Sequence, residues 1–135
     1  MIWTENHIKQ LQQQGKIKGY TISGKPGKKV QKKSKALLWL ELNLPYWAKE
    51  KGLVLETEYR FCPERKYRSD WALPCKKILI EYEGGIFMPK GGHNNHRGIQ
   101  RDIDKYALAQ QLGYTVIRLT AKNYRMAPEQ LNRLI

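Results

Sequence analysis

The chain has 135 residues, 41% hydrophobic and 27% charged, which leaves room for one domain around one modest core. Its 25 Lys and Arg against 12 Asp and Glu give a formal net charge of +13, which favours a polyanion: nucleic acid is the usual partner, an anionic membrane surface the competitor. No apolar run approaches the roughly 20 residues that cross a bilayer, and the N-terminal MIWTENHIKQ lacks a secretion signal's apolar stretch, so a cytoplasmic, non-membrane protein is expected.

Thr4 and Glu5 resemble a helix start, and Ile8 and Leu11 recur at helical spacing before the breaker Gly15. From Gly19 to Lys35 the composition turns to Gly, Pro and Lys, with nothing to fill a core. Residues 1–35 therefore read as an N-terminal helix with a Lys-rich flexible arm, and residues 36–135 as the folded domain. Lys28, Lys29, Lys32 and Lys33 are candidate phosphate contacts in that arm, the alternative being a merely solvated charged linker.

Ser34 can cap a helix through Ala36, Leu37, Leu38, Leu40, Leu42 and Leu44, with Pro45 kinking it or ending its first part. This helix is apolar almost all round, which implies packing between layers, with Glu41 an exception that is solvated at an edge or must reach a partner or a metal. Strand-like texture follows over 53–61, 67–73 and 77–83, separated by turns at Pro63 and Pro74. The Gly-rich stretch GGIFMPKGGHNNHRG leads into a helix from about Ile99 to Gln111, stopped by Gly113. Tyr114 to Leu119 reads as a buried strand, and Leu131 to Ile135, with Pro128 before it, as a closing helix. The order helix, three strands, helix, strand, helix predicts an α/β layer architecture whose last core strand follows a crossover. Trp39, Trp47 and Trp71 are expected in the core rather than as base-stacking platforms.

Alternation along Ile78 to Glu83 puts Ile78, Ile80 and Tyr82 on one face and Leu79, Glu81 and Glu83 on the other. Two acids side by side next to an apolar run need solvent, protonation or a cation. Asp70 stands eleven positions before Glu81, a length suited to a strand, a short turn and a returning strand, so the three acids can converge. Hard oxygen ligands of this kind suit Mg2+ or Mn2+, and such a site fits phosphodiester hydrolysis. The alternative is exposed acids in an ordinary sheet. Cys62 and Cys75 are too far apart for a zinc knuckle with His93 and His96, and are expected as buried or half-buried free thiols.

These residues also carry a resemblance. EYRFCPERKYRSDWALPCKKILIEYEGGIF resembles the pattern of small phage and prophage endonucleases of the PD-(D/E)XK superfamily: a Glu, a Phe-x-Pro turn, an Arg-aromatic-Arg-x-Asp strand, then Glu-x-Glu-Gly-Gly. GGHNNHRGIQRDIDKYALAQQLGYTVIRLT is similar to their His-containing Gly-rich loop, Asp-x-x-Lys-Tyr helix and Gly-aromatic-x-Val-x-Arg-x-Thr strand, so the likeness runs from about Leu53 to the C-terminus.

The resemblance implies a restriction-endonuclease-like αβββαβ core, a central mixed sheet flanked by helices, and Mg2+- or Mn2+-dependent endonucleolytic cleavage of DNA, in a host cytoplasm if the chain is phage-encoded. It puts Asp70 and Glu81 in the two principal acidic positions and Glu83 where the superfamily has a lysine. Lys105 is the candidate for the missing charge, with Arg101 one turn earlier and Asp102 placed to position either the loop or Lys105. Glu58 would be a further metal-facing acid, and His93 would touch the phosphate or orient water. Arg97 and Arg101 join the arm lysines as expected DNA contacts. Ser69 stands where the family has an aromatic and Gly92 where it commonly has Arg. The remaining alternatives are a non-catalytic nucleic-acid-binding module on a nuclease-like scaffold and an RNA-directed nuclease; a homodimer would suit paired cuts on two strands.

Overall fold

The computed structural model describes residues 32–84 and 96–135. The expected N-terminal helix and most of the Lys-rich arm lie outside these residues. Among them the chain runs α1 (Lys35–Glu50), β1 (Glu56–Arg60), β2 (Arg68–Leu73), β3 (Ile78–Tyr82), α2 (His96–Gln111), β4 (Thr115–Leu119) and α3 (Ala127–Asn132).

Ser34 starts α1 in extended conformation, its Oγ accepting from the Leu37 N–H at 3.2 Å. The helix does not end at Pro45: this residue is exposed, so water can reach the carbonyl that the missing N–H leaves free. Gly52, at φ +67°, closes α1, with Leu53 N–H bonding back to the Ala48 carbonyl at 2.8 Å. Gly113, at φ +85°, closes α2 in the same way through Tyr114 N–H and the Ala109 carbonyl at 3.0 Å.

The four strands form one mixed sheet in the order β1-β2-β3-β4, antiparallel except for the parallel β3–β4 pair joined through α2. Each face of the sheet carries its own core. On one, Trp71, Leu73, Ile78, Ile80, Ile117 and Leu119 pack with Leu40, Leu44 and Trp47 of α1 and Leu131 of α3. The Trp47 indole N–H donates to Asn132 Oδ1 at 2.9 Å, tying the two helices on that face. On the other, Ala72, Leu79 and Val116 pack with Phe61, Cys62 and the α2 residues Leu108 and Ala109. The chain is therefore an α/β protein with a mixed sheet flanked by helices.

Several boundaries differ from the sequence reading. Leu53 and Leu55 pack against the core before β1 begins, so the first strand is five residues rather than 53–61. The closing helix starts at Ala127 and ends at Asn132, with Pro128 inside its first turn, where no helical N–H bond is lost. Trp39, Trp47 and Trp71 are core residues as expected; Cys62 is buried but Cys75 is exposed. Glu41 is not simply solvated, because Lys33 Nζ lies 2.8 Å from its carboxylate. Among the described residues no helix is long and apolar enough to cross a membrane.

Candidate active site

Strand register lines up the acids. The pairs Thr57↔Trp71 and Tyr59↔Ser69 bracket Glu58 opposite Asp70. The β2–β3 pairing, carried one step past Trp71↔Ile80, sets Asp70 opposite Glu81, and Glu81 pairs with Arg118 on β4. One row of positions across the sheet thus holds Glu58, Asp70, Glu81 and Arg118, and directly opposed residues share a face. Glu83 follows two positions after Glu81 on the side that packs against α2, as alternation requires. At Glu58 the backbone turns left-handed, at φ +49°, in an exposed edge strand.

Asp70 is half-buried, and its Oδ2 accepts the Tyr82 N–H at 2.8 Å, which fixes the carboxylate across β3. Ser69, fully buried, shares its hydroxyl proton between the Trp71 and Ile80 carbonyls at 2.7 and 3.1 Å, holding β2 to β3 beside it.

Glu81 is only 6% exposed and forms an ion pair with Lys105 of α2. Burial pushes its carboxyl up to about 7; Lys105 opposes the rise, while the charge and hydrogen bonding of neighbouring Asp70 add to it. The Lys105 ion pair falls on Glu81 Oε1, an oxygen shut off from solvent.

Glu83, 4% exposed, is committed elsewhere. Its Oε1 accepts from the Tyr106 hydroxyl at 2.9 Å and from Arg118 Nε at 2.6 Å. The Arg118 guanidinium lies 4.3 Å from the Tyr106 ring centroid, closing a three-residue clamp. Burial and the charges of Glu81 and Glu83 hold the Tyr106 phenol protonated far above its usual range. Burial works against the Arg118 charge, but its Glu83 bond and Tyr106 outweigh that and raise its pKa.

The structure brings Asp70, Glu81 and Lys105 together and sets Glu83 beside them in a different set of contacts. Glu58, Arg101 and Lys105 line one open cleft of about 670 Å³, together with Lys66, Tyr67 and Arg68. Asp102 also borders this cleft and adds to the field that holds Arg118 charged. Arg97 is exposed in the first turn of α2, Lys32 is exposed, and Lys33 is paired with Glu41. His93, Lys28 and Lys29 lie outside the described residues.

Sequence reasoning assigned no role to Tyr106, Arg118, Lys66 or Arg68. Arg118 had a usable signal, since an arginine amid the apolar residues of β4 calls for a counter-charge on the neighbouring strand.

Among the described residues no group of three or more Asp, Glu, His or Cys is gathered to hold a metal ion. The donor set still fits a small divalent cation, because Mg2+ typically takes one or two carboxylates and fills its remaining positions with water and substrate oxygens. The solvent-shielded Glu81 Oε1, paired with Lys105 and with Asp70 beside it, is the kind of oxygen such an ion would take. Glu83, engaged by Arg118 and Tyr106, is not available in the same way. Comparison with family models, with curated proteins and with solved structures found no match to this chain.

Proposed function

We propose that the chain is a Mg2+- or Mn2+-dependent endonuclease that hydrolyses phosphodiester bonds in DNA. The observation that carries this reading is the pairing of Asp70 with Glu81 beside Lys105, next to an opening lined by basic side chains. The element order α1-β1-β2-β3-α2-β4 supports the finer fold assignment, a restriction-endonuclease-like αβββαβ core.

In this reading Asp70 and Glu81 hold the ion. When bound, it supplies positive charge to the phosphate and lowers the pKa of a water. Lys105 has two duties: it offsets the Glu81 charge in the free protein, and it stands ready to meet a phosphate oxygen. Tyr106 and Arg118 fix Glu83, which neighbours the pair through the chain, so Glu83 acts as a positioning residue rather than a third ligand.

Asp70→Ala or Glu81→Ala is expected to abolish cleavage of a DNA panel in Mg2+ or Mn2+ while most DNA binding and the fold persist. Cleavage by the wild type in excess EDTA would refute the assignment. A second reading is favoured by one observation: no cluster of three metal-ligating side chains occurs among the described residues. It makes the chain a nucleic-acid-binding module on the same scaffold, and calorimetric titration with Mn2+ separates the two, since a saturable site belongs only to the nuclease.

A further inference from the structure

The cleft beside the acid pair carries more positive charge than that pair requires. Lys66 precedes β2, Arg68 opens it, and Arg101 stands one helical turn before Lys105 on α2, so separate segments bring cations to one opening. Lys66, Arg68 and Arg101 are exposed, and among the described residues no ion pair or hydrogen bond holds their charged ends. Lys105 differs, being bound to Glu81. The acids Glu58 and Asp102 border the same space, two against the three cations that remain once Lys105 is paired. Several unengaged cations along one cleft suit a ligand with regularly repeated negative charge, and a phosphodiester chain is that ligand.

Size narrows the choice. At about 670 Å³ the open cleft is no larger than small-molecule sites, roughly 300–1,000 Å³, a volume that matches a few nucleotides of one strand. It offers no uncommitted aromatic face, because Tyr67 is stacked with Phe61 at 6.4 Å and carries Arg65 at 5.3 Å from its ring centroid. Recognition there is of backbone charge, which carries no base information.

We propose that this cleft seats an unpaired stretch of a DNA strand, with Lys66, Arg68 and Arg101 on phosphates flanking the one that faces Asp70, Glu81 and Lys105. The placement of that central phosphate rests on the nuclease reading; the seating of the strand does not. The protein would then act on single strands, flaps or frayed ends in preference to the interior of a blunt duplex.

The test is fluorescence anisotropy of a labelled single strand of about 20 nucleotides and of the matching blunt duplex, with the full chain in EDTA over a range of KCl. The variant Lys66→Ala/Arg68→Ala/Arg101→Ala is set against a charge-matched control, Lys49→Ala/Lys51→Ala/Lys76→Ala, and circular dichroism checks that both are folded. Wild type is expected to bind the single strand at least as tightly as the duplex. The cleft variant is expected to lower the slope of log affinity against log salt by about 2, from three contacts at roughly 0.7 each, and the control by much less. Equal losses in both variants, a wild-type preference for the duplex, or an unchanged slope in the cleft variant would each overturn the proposal. Mg2+-dependent cleavage of the same oligonucleotides keeps the two readings apart. A lowered slope without any cleavage refutes the nuclease and upholds the cleft, whereas cleavage inside the blunt duplex with an unchanged slope refutes the cleft alone.

Discussion

Replacing Glu81 by Gln should stabilise the metal-free protein, and the gain should depend on pH. Two effects compete at this side chain: burial disfavours its charge, and Lys105 favours it. Burial prevails, since the carboxyl titrates at about 7 rather than the ordinary 4.5. Below 4.5 the folded and unfolded chains both hold the proton and Glu81 carries no penalty. Between 4.5 and about 7 the folded chain keeps a proton that the unfolded chain has released, so stability falls as pH rises, and above that window the full penalty remains. At about 1.4 kcal/mol per pH step the window corresponds to about 3 kcal/mol as an order of magnitude. Glu81→Gln removes the penalty while keeping shape and an acceptor oxygen for Lys105. Thermal unfolding in EDTA should show variant and wild type alike near pH 4.5 and the variant higher by roughly 10 °C near pH 8, taking roughly 3 °C per kcal/mol. Mg2+ should raise the melting temperature of wild type at pH 8 more than that of the variant. A variant that melts below wild type by the same margin at both pH values would refute the argument, because the Lys105 ion pair would then outweigh burial.

Two further substitutions test the frame around the site. Arg118→Met leaves buried Glu83 with the Tyr106 hydroxyl alone, and a hydrogen-bonded charge lost from a half-exposed partner should cost about 2 kcal/mol in urea unfolding; a loss within error would mean water replaces the guanidinium. Gly113→Ala forces a side chain into the left-handed region at φ +85° where α2 turns into β4, with a loss of about 1–2 kcal/mol expected in the same assay.

Much of the architecture is written in local pattern. The alternation of Ile78, Ile80 and Tyr82 with Leu79, Glu81 and Glu83 matches the two cores, because in a strand the neighbouring residue must face the opposite side. Ser34, Gly52 and Gly113 mark their helix ends because capping needs only adjacent residues. Boundaries were harder to read where tertiary packing overrode texture: Leu53 and Leu55 look like strand yet serve the core from outside it, and α3 takes Pro128 into its first turn.

The sequence by itself settled which residues could be acidic neighbours: Asp70 and Glu81 fall opposite each other because the turn between their strands leaves that register. What it left open was how the acids divide. Only the packing of α2 onto the sheet and the pairing of β4 with β3 decided that Lys105 meets Glu81 while Tyr106 and Arg118 take Glu83. The physical reason is that a buried carboxylate takes whichever cation or donor the fold brings within reach, and residues 35 positions apart in the chain, such as Glu83 and Arg118, meet only once the sheet has formed.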